Sequence, residues 1–254
     1  MYQENKPQYR ILLLIALAHG LNDLIQGVIP SIYPTLQSKY ALTMTQVGVI
    51  TLCYQLSASI LQPLVGNYTD KHPKPYSQVL GMAFTTIGIV SLSLASSYAA
   101  ILCSVVFIGV GSSVFHPEAS RVAFLASGGR RSFAQAIFQL GGNFGTALAP
   151  LLVILLLLSK KVIDGRVVEE SHQGNLIWFA SFSIFAMFIL LLIGKWRSIL
   201  LKLLKKKVKK TVVLPNLTRS QIHNSMIILM LLVFSKNFYT AAINNYFQFY
   251  TIKK

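Results

Sequence analysis

Carboxylates are scarce in this chain. Seven Asp and Glu stand against 23 Lys and Arg in 254 residues, and only 12% of all residues are charged. A soluble domain carries about 25% charged residues, so the sequence has too little to solvate an ordinary globular surface. Cysteine is nearly absent: Cys53 and Cys103 both lie in apolar stretches. They read as small packing residues, which leaves no disulfide framework. No CxxC or HExxH spacing occurs, and no nucleophile–base constellation appears. The expectation is therefore no metal, no cofactor and no enzyme.

Apolar residues make up 54% of the chain. They gather in runs of about 20 residues or more with few charges, the length that crosses hydrocarbon as a helix. The expected fold class is all-α, a polytopic membrane protein. Seven spans can be drawn, at 11–36, 44–66, 77–95, 98–122, 133–158, 174–194 and 222–251. Lys6 and Arg10 before Ile11–Ala18 imitate a signal peptide. The apolar run continues past Ala18, so an uncleaved first helix is expected. Short links, 37–43 and 96–97, make antiparallel neighbours of spans 1 and 2 and of spans 3 and 4.

The net charge of +16 raises nucleic acid as a partner, but eight of the 23 basic residues crowd between Lys195 and Lys210, between two apolar spans. That placement reads as a cytoplasmic loop obeying the positive-inside rule, with lipid headgroups as its neighbours and no nucleic acid. With the N-terminus inside, the inner segments hold 16 Lys and Arg and the outer ones 6, Lys236 being intramembrane. The expected organisation is a six-span half, 1–194, a basic cytoplasmic loop, 195–221, and a further helix, 222–254, that begins a second half. Six spans, a long inner loop and more spans is how transporters with two six-helix halves are built. A faint repeat supports a three-plus-three construction of the first half: Tyr54-Gln55-Leu56 with Pro63 in span 2, and Phe138-Gln139-Leu140 with Pro150 in span 5.

Polar residues inside these spans are the candidate functional groups. Asp23 lies near the middle of span 1, where a charge costs at least about 2.5–3.5 kcal/mol. Either it binds and releases a proton, or it is a buried acid satisfied by Asn22, His19 or a neighbouring helix. His19, one turn earlier, joins that proton path or simply packs. Gln55, Gln139 and Asn143, with Asn22, line a cavity or bond between helices. His116, Glu118 and Arg121 surround Pro117 toward the inner end of span 4. With Gly66, Asp70 and Lys71 they form an inner gate, Arg121 reaching for Asp70, or else a helix-end charge pair.

Gly66-Asn-Tyr-Thr-Asp70-Lys71-His-Pro-Lys74 resembles the signature that follows the second helix in the major facilitator superfamily, with Pro73 in place of a glycine. Gly141-Gly142-Asn143-Phe144-Gly145 through Pro150 resembles that superfamily's fifth-helix stretch. His19-Gly-Leu-Asn22-Asp23, Gly111-Ser-Ser-Val-Phe-His116-Pro117-Glu118, Ala126-Ser-Gly-Gly-Arg130 and Phe234-Ser235-Lys236 narrow the likeness to the fosmidomycin-resistance branch. The resemblance implies an inner-membrane drug:proton antiporter of twelve helices that exports small toxic compounds such as fosmidomycin-like phosphonates. It also implies that spans 1 and 7 face each other, so that Lys236 pairs with Asp23 or attracts a phosphonate. Against twelve helices the chain reads as truncated after the seventh. A transporter of another small organic solute and a non-transporting remnant are the alternatives. A seven-helix photoreceptor with Lys236 as a Schiff base fits the span count but not the basic loop or the Gly66–Asp70–Lys71 signature.

Overall fold

The structure, a computed structural model, describes residues 6–163, 166–206 and 218–252. Eight helices form among the described residues: α1 (Tyr9–Ser31), α2 (Tyr33–Tyr40), α3 (Met44–Lys71), α4 (Ser77–Leu94), α5 (Tyr98–Ala126), α6 (Arg131–Leu157), α7 (Phe179–Lys206) and α8 (Arg219–Ile252). Among the described residues, six segments are long and apolar enough to cross a membrane: α1, α3, α4, α5, α6 and Gln173–Leu204. The protein is a multi-pass, all-α membrane protein. The seventh expected span forms as α8, a helix of 34 residues broken in apolarity by Lys236, Asn237, Asn244 and Asn245.

Local chemistry sets the helix ends. Thr43 and Gln46 close a reciprocal cap on α3: Gln46 N–H donates to Thr43 Oγ1 at 3.2 Å, and Thr43 N–H donates to Gln46 Oε1 at 2.9 Å. Ser97 caps α5 by accepting from Ala100 N–H at 3.2 Å. The first span is not one helix to residue 36 as expected. Pro34 has no N–H to continue the ladder, and the chain breaks at Ile32 before resuming as α2.

Two further departures matter. The connection 158–171 holds a hairpin, β1 (Leu158–Ile163) paired antiparallel with β2 (Arg166–Ser171), whose register sets Lys160 opposite Glu169. The basic tract expected as loop from 195 is helical to Lys206, because Trp196-Arg-Ser-Ile-Leu-Leu continues the helical pattern of α7. The rest of that loop, 207–217, lies outside the described residues.

The chain divides into two compact units, 1–200 and 201–254. In the first, α1 packs along α6, and α5 lies against both α3 and α4. Small residues permit these approaches. A Cβ on Gly145 would fall 1.8 Å from the Gly20 carbonyl oxygen, and one on Gly141 would fall 2.1 Å from that of Ala16. The core includes Leu12, Ile15, Phe115, Ala119, Phe138 and Ile189. At Gly66, by contrast, a Cβ meets nothing within 4 Å among the described residues.

Candidate functional site

His19 and Asp23 stand four residues apart on α1, so their side chains share one face. His19 Nε2 lies 3.1 Å from Asp23 Oδ2. The imidazole is held on its other side as well. Its Nδ1 sits 2.8 Å from the Phe138 carbonyl oxygen, and its ring stacks on that of Phe138 at 3.9 Å and 8°. A carbonyl only accepts, so Nδ1 carries the hydrogen and Nε2 presents either a lone pair or a second proton to Asp23. Gly142 makes the room: a Cβ there would come within 2.5 Å of His19 Cε1 and 2.6 Å of Asp23 Oδ2.

His116, from α5, is the third member. Its Nε2 is 3.7 Å from Asp23 Oδ1, and its ring meets that of His19 edge-on at 5.3 Å. The Gln26 amide Nε2 lies 3.4 Å from the same nitrogen. Gln26 Oε1 accepts from the Tyr54 hydroxyl and, at 3.3 Å, from Ser112 Oγ. These bonds turn the amide so that its N–H faces His116 Nε2, which therefore offers a lone pair. Two imidazole nitrogens and a carboxylate thus converge, all within 4.8 Å of one another. Lone pairs repel unless a cation lies between them, and the nearest bond, Nε2 to Oδ2, requires one proton. Chemically, the arrangement can accommodate one proton between His19 Nε2 and Asp23 Oδ2.

Asn22, expected to line a cavity, is fully buried and instead donates from Nδ2 to Asp23 Oδ1 at 3.1 Å. Gln55, Gln139 and Asn143 are exposed, with Gln139 donating to Asn143 Oδ1 at 3.3 Å. Lys236 lies near the middle of α8; its side chain, and with it the expected pair with Asp23, falls outside the described residues.

A second polar cluster surrounds Glu118. Two residues beyond His116 on α5, it points to another side of the helix, and this separates His116 from the inner gate in which the sequence grouped it. The Glu118 side chain is fully buried and takes hydrogen bonds from Arg121 Nη1, Arg197 Nη1 and, at 2.8 Å, Ser77 Oγ. Arg121 also donates to Asp70 Oδ1 and, at 3.1 Å, to Thr69 Oγ1. Lys71 is exposed beside Asp70, and Gly66 sits one turn earlier on α3. Sequence reasoning missed Arg197, which is 1% exposed. It belonged to a tract read only as positive charge. It also missed Gln26, Tyr54 and Ser112, ordinary polar residues whose convergence depends on how α1, α3 and α5 meet.

Six helices apolar enough to cross a membrane thus carry a charged cluster near one end and a second polar cluster within, groups that are costly in hydrocarbon. The Major Facilitator Superfamily profile matches residues 15–254, and the chain belongs to that family. It is 45% identical over 249 residues to the fosmidomycin resistance protein of Escherichia coli (strain K12), covering 98% of this chain and 58% of that protein. It is 40% identical over 247 residues to the uncharacterized MFS-type transporter YfnC of Bacillus subtilis (strain 168), covering 96% and 58%. The chain thus spans 58% of the length of both relatives. Among solved structures, a bacterial homologue of the human lysosomal transporter Spinster, inward-facing and unoccupied, aligns with TM-score 0.57 and 18% identity over 73% of this chain and 42% of that one. The E. coli fucose:proton symporter FucP aligns with TM-score 0.51 and 16% identity over 80% and 50%. At such identities these two speak for the fold alone.

Proposed function

We propose that this chain serves a proton-coupled efflux transporter of small toxic compounds such as fosmidomycin-like phosphonates. The observation that carries the reading is the His19–Asp23–His116 centre, in which Nδ1 of His19 is committed to the Phe138 carbonyl and a proton is required on the Asp23 side. The substrate class comes from the 45% identity to the fosmidomycin resistance protein. Asp23 and His116 keep 16% and 27% of their side-chain surface open, so a proton can reach them from a water-filled side.

In this reading Asp23 gains a proton in one state of the transporter and loses it in the other. Glu118, locked by Arg121 and Arg197, and Asp70 form the inner gate. The membrane is the inner one, with the N-terminus cytoplasmic, as the distribution of basic residues favours. A second half completes the cavity. The exposed stripe Leu52, Leu56, Ile60, Leu64 on α3 and the exposed Leu140, Phe144 and Leu151 on α6 are surfaces for helices or lipid.

The test uses a chimaera in which residues 1–254 replace the matching segment of the E. coli fosmidomycin resistance protein. In a drug-sensitive host it raises fosmidomycin tolerance, and an uncoupler abolishes the gain. Tolerance no better than that of an empty vector, at normal membrane abundance, refutes the substrate assignment.

A further inference from the structure

We propose that His19 Nε2, Asp23 and His116 Nε2 form a binding site for one transition-metal dication of the zinc or cobalt type. The proposal needs only the three side chains and stands whether or not the transported solute is a phosphonate.

Donor type comes first. Two neutral imidazole nitrogens and one carboxylate suit zinc, cobalt and nickel, whereas magnesium and calcium want oxygen donors. The His19 Nε2 lone pair already points inward, its Nδ1 hydrogen being on the Phe138 carbonyl at 2.8 Å; the His116 Nε2 lone pair takes the Gln26 amide N–H at 3.4 Å, a long bond that an entering ion displaces. A backbone carbonyl on the far nitrogen of a histidine is how metal-ligating imidazoles are usually oriented. Asn22 Nδ2 steadies the carboxylate at 3.1 Å in the same way.

Spacing comes second. A tetrahedral ion about 2.0–2.1 Å from each donor sets the donors roughly 3.3 Å apart. His19 Nε2 lies 3.1 Å from Asp23 Oδ2, and His116 Nε2 lies 3.7 Å from Oδ1 of the same carboxylate. All three donor atoms lie within 4.8 Å of one another, so side-chain rotation closes the remaining gap. Gly142 packs directly against His19 and Asp23 Oδ2, where any side chain would displace the donors. The partly exposed faces of Asp23 and His116 admit the ion and a water as fourth ligand.

The experiment titrates cobalt(II) into the purified chain in detergent, with Cys53→Ser and Cys103→Ser removing the thiols. The expected result is one cobalt per chain with the absorption of tetrahedral cobalt, undisturbed by excess magnesium. His116→Ala should weaken binding by at least about 10-fold, the lower end of what changes around a metal site do. His116→Cys should keep the ion and add a thiolate-to-cobalt charge-transfer band. No tetrahedral cobalt in the parent, undiminished binding by His116→Ala, or a His116→Cys complex without the thiolate band each overturns the proposal. Should His116→Ala fail to fold, the His116→Cys spectrum decides alone. None of these readouts involves drug transport, so their failure is distinct from failure of the efflux reading.

Discussion

Arg197 donates to Glu118 across 79 residues of sequence, and both side chains are buried. Glu118 also holds Arg121, which reaches Asp70, so one acid ties α7 to α5 and, through Arg121, to the end of α3. Removing Arg197 takes one charged donor from the buried Glu118, which keeps Arg121 and Ser77, at a cost of about 1.5–3 kcal/mol. Arg197→Met should therefore lower the unfolding midpoint of the purified chain. Lys195→Met, an exposed neighbour, should leave it unchanged. Equal melting of the two variants would mean the Arg197 contact contributes nothing.

The glycines of α6 and α3 predict opposite outcomes. Gly145→Ala places a methyl 1.8 Å from the Gly20 carbonyl and forces α1 off α6, an overpacking cost of about 1–3 kcal/mol. Gly66→Ala meets nothing among the described residues and should shift stability by no more than about 0.5 kcal/mol. Thermal unfolding in detergent ranks them, and a larger loss for Gly66→Ala would contradict the packing described.

Gly142→Ala acts on the polar centre itself. Its methyl would crowd His19 Cε1 at 2.5 Å and Asp23 Oδ2 at 2.6 Å. In the chimaera it should cut fosmidomycin tolerance strongly while membrane abundance holds. Full tolerance would show that the His19–Asp23 geometry is not needed.

Orientation is tested by single cysteines, Gly165→Cys and Lys206→Cys, in a background without Cys53 and Cys103. An impermeant thiol reagent applied to intact cells should label position 165 and spare 206. The reverse pattern would invert the topology.

The spans were legible because a bilayer demands long apolar runs, and α3, α4 and α6 fall within a few residues of the expected bounds except where α3 runs on to Lys71. The midspan acid was legible for the same reason: Asp23 is the one Asp, Glu, Lys or Arg between Arg10 and Lys39. What surrounds it was not. His116 was grouped with Glu118 because they are close in sequence, yet two residues on a helix turn side chains to different sides. Arg197 was hidden inside a run of lysines, where charge counting treats every basic residue alike. The hairpin 158–171 was missed because its short strands, Leu-Ser-Lys-Lys-Val-Ile and Arg-Val-Val-Glu-Glu-Ser, lack a strict polar–apolar alternation and follow directly on an apolar helix.

Proton coupling through Asp23 is most directly tested by drug-evoked proton movement in inverted membrane vesicles carrying the chimaera. After a pH gradient is established, fosmidomycin should dissipate it through the parent, and Asp23→Asn, which keeps the side chain's size but removes its titration, should abolish that response at equal membrane abundance. An Asp23→Asn variant that still moves protons when drug is added would make Asp23 a structural acid and pass the coupling role to His116 or Glu118.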